Sequence, residues 1–160
     1  MWKEHSAGSA AHRELEQQWA LLKRIPEHQR LWRTVYKPEQ LDAKGNPKPS
    51  FLRDKRGLSY LSPALISHDE AILRRPPMWP KGSGILEMKV EEIRNTDVDG
   101  DCEHDPVEPA DGQDESFRNY AHCLIFRSGT TENDEDRRLS SEQARDLLSR
   151  SRMRVEAQLS

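Results

Sequence analysis

The stretch Tyr120-Ala121-His122-Cys123-Leu124-Ile125-Phe126 decides the fold class, because it is the clearest candidate for a buried strand in the chain. A short apolar run that contains β-branched and aromatic residues and ends in turn residues is typical of such a strand, and Ser128-Gly129 follows at once. We therefore expect Ile125 in the centre of the core. The strands that pair with this one must be found elsewhere in the sequence.

Three other segments predict strands. The run from Leu31 to Lys37 is rich in aromatic and β-branched residues, and Pro38 ends it. The segment Gly57-Leu58-Ser59-Tyr60-Leu61 predicts a second, short strand. Residues 85 to 93 alternate, so that Ile85, Glu87 and Lys89 would face away from Leu86, Met88 and Val90 on a half-buried strand, although the last residues also suit a helical turn.

Helices are predicted at both chain ends and in the middle. Residues 10–24 place Leu15, Trp19 and Leu22 on one helical face before Pro26. A capping box at Ser67 predicts a short helix that ends near Arg74. A second capping box, Ser140 with Gln143, predicts a C-terminal helix within 139–158, from Ser141 to about Ala157.

This order of elements predicts an α+β fold: a small, mostly antiparallel sheet with helices on one face and amphipathic helices at both chain ends. The length of 160 residues suits a single domain over 1–160. Its α+β core would span residues 31–126. Within that core, residues 95–118 are polar and acidic and predict a long loop.

The charge distribution argues against nucleic acid as a partner. The net charge is −3, and residues 95–136 carry 2 Lys/Arg against 13 Asp/Glu, whereas residues 1–58 carry 12 against 7. Such an acidic block repels phosphate backbones. No apolar run reaches the length that spans a bilayer, and two cysteines without a signal peptide suit a reducing compartment. We expect a cytoplasmic protein with no membrane partner.

Two metal sites are conceivable, and neither is favoured. Asn95, Asp97, Asp99 and Gly100 match positions 1, 3, 5 and 6 of a calcium-binding loop, with Asp101 beside them, but Pro106 stands where the bidentate Glu belongs. The second candidate is a zinc site formed by Cys102, His104, His122 and Cys123, which are the right ligand types. Their spacing fits no zinc pattern, and the adjacent residues His122 and Cys123 would point to opposite faces of a strand. No cofactor is expected.

Two resemblances extend over the middle of the chain. The runs Leu31-Trp32-Arg33-Thr34-Val35 and Gly57-Leu58-Ser59-Tyr60-Leu61-Ser62 resemble strands of the ADP-ribosyltransferase superfamily, which implies a nucleotide substrate. Such a site also needs a late glutamate, and no position here identifies itself as that residue. Residues 31 to 126, with His104-Asp105-Pro106 and Asn119-Tyr120-Ala121-His122, are similar to a set of small uncharacterised bacterial proteins with a late Asn-x-Ala-His motif. That set implies a bacterial origin and no particular activity.

These observations favour a non-enzymatic binding or accessory protein of a bacterial intracellular assembly. Its protein partner would be contacted through the terminal helices and a Pro-rich loop, with Trp19, Trp79 and Leu148 as candidate contacts. The alternative is a small enzyme that acts on a nucleotide in a pocket around Arg33, Tyr60, His104 and His122. The two hypotheses differ in whether those four side chains converge.

Overall fold

The structure is a computed structural model that describes residues 24–54, 58–61, 82–105, 107–113 and 122–159, with backbone alone for 58–61. These residues form one sheet of six strands, in the order β4-β5-β2-β1-β3-β6. The strands are β1 (Arg30–Val35), β2 (Leu58–Leu61), β3 (Gly84–Lys89), β4 (Gly100–His104), β5 (His122–Arg127) and β6 (Arg152–Val155). The helices are α1 (Val90–Ile93) and α2 (Ser141–Arg150), with two 3₁₀ turns, Pro38–Gln40 and Pro49–Leu52.

Every strand pair is antiparallel, so the predicted class of sheet is confirmed for the described residues. Strand β5 begins at His122 and buries Cys123 and Ile125, as its apolar run predicts. The capping box at Ser140 is also confirmed: its Oγ accepts from the backbone N–H of Gln143 at 3.0 Å, and the Gln143 Oε1 accepts from the Ser140 backbone N–H at 2.8 Å.

The strand register divides the sheet into two faces. Trp32 pairs with Leu61, Leu61 pairs with His122, and Trp32 also pairs with Glu87. Residues that pair directly point to the same side, so these positions share one face, which we call the Trp32 face. Their chain neighbours, such as Leu31, belong to the opposite Leu31 face.

The Leu31 face carries the core beneath α2. Leu31, Met88 and Ile125 are at most 1% exposed and belong to the same cluster as Ala144 and Leu147 of α2. Burial of such side chains contributes about 1.5–3 kcal/mol each. The apolar side chains of this face thus belong to one core with α2, and an antiparallel sheet with few helices is compatible with the predicted α+β class.

The C-terminal helix is shorter than predicted, which is a correction. It ends at Arg150, because Ser151 is extended and its hydroxyl donates to the carbonyl of Leu147 at 2.7 Å. The next four residues, Arg152–Val155, form β6 on the edge of the sheet beside β3. Their alternation of Arg with Met and Val suits a strand better than the helical stripe on which the prediction relied.

Two further predictions need correction. The acidic loop 95–118 contains β4, which pairs along its whole length with β5. Strand β3 is buried on both faces rather than one, and it ends at Lys89 where α1 begins. The prediction of a half-buried strand failed because the charge of Glu87 suggested solvent, whereas the residue is 3% exposed.

Two glycines allow β6 and the residues after it to lie close against β3. A Cβ on Gly84 would lie 2.7 Å from the Val155 carbonyl oxygen, and one on Gly82 would lie 2.5 Å from the carbonyl oxygen of Gln158. The pairing also has a β-bulge: Leu86 pairs with Met153 but Ile85 pairs with Val155, so Arg154 is the extra residue on β6.

The N-terminal helix 10–24 lies outside the described residues except for Arg24, which forms an isolated bridge with Glu103. The short helix near Arg74 and the Pro-rich segment around Trp79 also lie outside them. No helix in the part of the chain that the structure describes has the length and apolar character to cross a bilayer.

Candidate functional site

A cluster of arginines surrounds a buried glutamate on the Trp32 face, and we call Glu87, Arg30, Arg152, Arg154 and Trp32 the arginine cluster. The Glu87 Oε1 accepts from Arg30 Nη1 at 3.0 Å and from Arg152 Nη2 at 3.0 Å and Nε at 3.2 Å. Its Oε2 accepts from the Trp32 indole N–H at 2.8 Å and from Arg154 Nη1 at 3.2 Å. Strands β1, β3 and β6 thus supply one site.

The sheet register explains why these residues meet. Trp32 and Arg152 are the direct partners of Glu87 on either side, so one row of the sheet runs across three strands. Arg30 lies two residues from Trp32 on the same face of β1. The bulge at Arg154 lets a second arginine of β6 reach the same carboxylate.

The carboxylate of Glu87 is ionised at neutral pH. Burial alone would raise the pKa of Glu87, but the hydrogen bonds from Trp32 and Arg152 and the charge of Arg30 lower it below the usual value. Three guanidinium groups therefore surround one negative charge, which leaves a surplus of two positive charges.

The arginine side chains remain open to solvent although the glutamate does not. The side chains of Arg30, Arg152 and Arg154 are 44%, 65% and 40% exposed, whereas that of Glu87 is 3% exposed. Arg154 also lies over the Trp32 ring, 5.1 Å from its centroid. The cluster is a solvated cationic surface fixed from below by one buried anion.

The four residues of the enzyme hypothesis do not share one face. His122 is on the Trp32 face, whereas Arg33 and His104 are on the Leu31 face. Across β1, β2, β5 and β4, three strand spacings separate the backbones of Arg33 and His104 by about 14 Å. Between them lie Cys123, the partner of His104, and Tyr60, whose backbone pairs with Cys123.

The surroundings of these side chains also differ. His104 is 3% exposed in the core, and the guanidinium of Arg33 lies 4.6 Å from the centroid of the Phe51 ring. His122 instead contacts Asp105, whose Oδ2 is 3.2 Å and whose backbone oxygen is 2.8 Å from its Nδ1. Asp105, which follows β4 directly, thus contacts His122 at the start of β5.

The aspartates of the calcium hypothesis bind arginines. Asp97 accepts from Arg150 at 2.8 Å, and Asp101 accepts from Arg94 at 2.8 Å. Each carboxylate is thus paired with a different arginine. Asp99 has a φ of +52°, which fits the sharp turn into β4. Among the described residues, no three His, Cys, Asp or Glu side chains come together as a metal site.

The four zinc candidates lie on two opposite faces of the sheet. His122 lies across the sheet from Cys102, His104 and Cys123, all of which are buried. Burial raises the pKa of Cys102 to about 12 and raises that of Cys123 as well. Both cysteines are therefore buried thiols of the core rather than part of a shared site with His122.

Leu148, predicted as a partner contact, is partly buried and packs against the protein's own core. Trp19 and Trp79 lie outside the described residues. The sequence gives no sign of the arginine cluster, because the predicted helix to about Ala157 includes Arg152 and Arg154 in its last turns. Charged residues at a helix end are usually solvated. The alternation Arg152-Met153-Arg154-Val155 is the signal that would have indicated a strand.

Comparisons of the chain with protein-family models, with curated proteins and with solved structures found no match.

Proposed function

We propose that the protein is a non-enzymatic binding or accessory protein of a bacterial intracellular assembly, and that it contacts a protein partner through the arginine cluster. The observation that carries this proposal is the set of three exposed guanidinium groups held by one buried carboxylate. Arginine is enriched among residues that dominate protein interfaces. The ion pairs to Glu87 hold these side chains in place before binding, which lowers the entropy cost of association.

The protein is acidic overall but has a local cationic surface at the arginine cluster, which suits binding to a protein partner. The net charge of −3 disfavours general binding to nucleic acid, but the cluster places positive charge at one spot on the sheet. A local cationic surface on an acidic protein selects a partner with a local anionic group. The terminal helix with Trp19 and the loop with Trp79 remain proposed as additional contacts.

The test is a pull-down of the tagged protein from its native host with mass spectrometry of the proteins, metals and small molecules that co-purify. Wild type is compared with the double variant Arg152→Gln/Arg154→Gln and with the control Arg138→Gln/Arg145→Gln, which removes two exposed arginines elsewhere. We expect one stoichiometric partner with wild type and control, and its loss from the double variant.

Circular dichroism must first show that both variants fold. A purified protein with a bound nucleotide and no protein partner would contradict the proposal. If the double variant retained the same partner, the arginine cluster would not be part of the interface.

The alternative, a small enzyme that acts on a nucleotide, has one observation in its favour. The contact of His122 with Asp105 is the arrangement by which a carboxylate orients a histidine for proton transfer. In this proposal Arg33 and His104, which lie on the face opposite His122, would have to reach the same substrate as His122 and Tyr60. Saturable binding of ATP or NAD that His122→Ala abolishes, and that His28→Ala leaves intact, would favour the enzyme.

A further inference from the structure

We infer that the arginine cluster is a binding site for a phosphate monoester carried on a side chain of the partner protein. This inference rests on the proposed function, since it names what the cluster recognises there. It starts from the surplus of two positive charges on the cluster, where Glu87 balances one of three guanidinium groups. A phosphate monoester carries a charge of about −1.5 to −2 at neutral pH and matches this surplus, whereas one carboxylate matches half of it.

The donors of the cluster suit a tetrahedral oxyanion. Each guanidinium has five N–H groups, and Arg30 and Arg154 each direct a single nitrogen at Glu87. Both side chains are 40–44% exposed, so in the inference their remaining N–H groups are the donors offered to a ligand. Arginine binds phosphate oxygens with short, charge-assisted hydrogen bonds, often two in parallel. Three such side chains at one carboxylate can surround several oxygens of a single phosphate.

The buried glutamate gives the cluster a fixed geometry. Without it, three arginines would repel each other and occupy many rotamers. Glu87 draws them to one point from within the sheet, and the bulge on β6 adds Arg154. The contact of Arg154 with the ring of Trp32 restrains that side chain further. A free patch of surface arginines would lack such restraints.

The surroundings favour a phosphate on a protein over a nucleotide base or a nucleic acid. Trp32 is 6% exposed, so its ring is covered and cannot stack on a base. Lys89, exposed on the same face and paired in register with Arg30, adds one more cation at the margin. Among the described residues, the cations gathered at Glu87 with Lys89 at their margin form a small group, which suits one phosphoryl group rather than a polyanion.

The test is a titration of the full-length ¹⁵N-labelled protein, followed by the indole N–H signal of Trp32, which donates to Glu87 inside the cluster. The signal is assigned by comparison with Trp32→Phe. The probes are a short glycine-rich peptide with one phosphoserine, the same peptide with serine or with glutamate in its place, inorganic phosphate, and AMP. We expect saturable shifts with the phosphoserine peptide, with a Kd about tenfold or more below that of the glutamate peptide.

The double variant Arg152→Gln/Arg154→Gln should weaken binding of the phosphoserine peptide by about a hundredfold, since it removes two charge-assisted contacts. The control Arg138→Gln/Arg145→Gln should change the Kd less than about twofold, because both arginines are exposed and neither donates to Glu87. Binding should also weaken as salt rises. Equal Kd values for the glutamate and phosphoserine peptides, or no saturable shift, would overturn the inference.

Two other outcomes separate this inference from the proposed function. AMP or inorganic phosphate that binds more tightly than the phosphoserine peptide would assign the site to a small molecule and overturn the protein-bound phosphate. A partner that co-purifies in the pull-down and still binds after phosphatase treatment would overturn the inference while the proposed function stands. Phosphoserine binding without any partner in the pull-down would support the site and contradict the proposed function.

Discussion

Replacement of Glu87 by Gln should destabilise the protein by about 2–3 kcal/mol. The carboxylate accepts hydrogen bonds from Trp32 and from three arginines, and a neutral amide would turn one of its oxygens into a donor that faces other donors. Loss of a buried charge-assisted hydrogen bond costs about 1.5–3 kcal/mol. The arginines are half-exposed and can be hydrated again, so the individual costs do not add in full.

Urea unfolding followed by circular dichroism measures this change in the free energy of unfolding. For a domain of this size, about 2–3 kcal/mol corresponds to a fall in Tm of about 4–12 °C. The matched control is Glu156→Gln, an exposed glutamate just after β6, which should alter the free energy of unfolding by less than about 0.5 kcal/mol. If Glu87→Gln lowered the free energy of unfolding by no more than the control does, the ion pairs of Glu87 would not stabilise the fold.

The effect of Glu87→Gln on the free energy of unfolding should depend on pH. The folded-state pKa of Glu87 lies below its usual value, so its ionised form stabilises the fold. That stabilisation is fully present above the unfolded pKa of about 4.3 and is lost as the pH falls through the lower folded pKa. The stability difference between wild type and Glu87→Gln should therefore be constant from pH 7 to pH 5 and shrink below it. A difference that stays constant down to pH 2 would contradict the assigned ion pairs.

Three further substitutions test the fold. Ile125→Asp puts a charge at a position that is 1% exposed and should leave the protein unfolded at 25 °C; an unchanged Tm would contradict the core assignment. Gly84→Ala places a Cβ against the Val155 carbonyl and should cost about 1–3 kcal/mol and speed amide exchange in β6 relative to the rest of the sheet. Gly45→Ala has open space but a φ of +82°, so it should strain its own turn and cause no selective change in β6. Ser140→Ala removes the cap of α2 and should cost about 1 kcal/mol in urea unfolding; no loss would mean that the capping box contributes nothing.

The parts of the fold that were predictable have local signals. The apolar run around Ile125, the alternation after Leu31 and the Ser140 capping box each lie within a few residues of sequence, and the structure has β5, β1 and α2 at those places. The separation of His122 from Cys123 also follows from the two-residue period of a strand. Such features need no knowledge of the partner strand.

The arginine cluster could not be predicted in the same way because it is non-local. Glu87 meets Arg30 from 57 residues away and Arg152 from 65 residues away, and this needs both the strand order and the register. Charge also misled the prediction at Glu87, since a buried glutamate is recognisable only once its partners are known. The strand β4 was hidden for a similar reason: its acidic residues resemble a loop until β5 is placed beside it.

Strand β6 lies at the edge of the sheet that the described residues form, and its arginines bear on whether two copies of the chain can join there. A second molecule that added its own β6 antiparallel to the first would bring Arg152 and Arg154 of each copy close to those of the other. Like charges on adjacent strands repel, and charged residues on edge strands hinder the continuation of a sheet between molecules. The guanidinium groups that Glu87 gathers therefore also oppose self-association at this edge, and neutralisation of their charge by a bound anion would weaken that barrier.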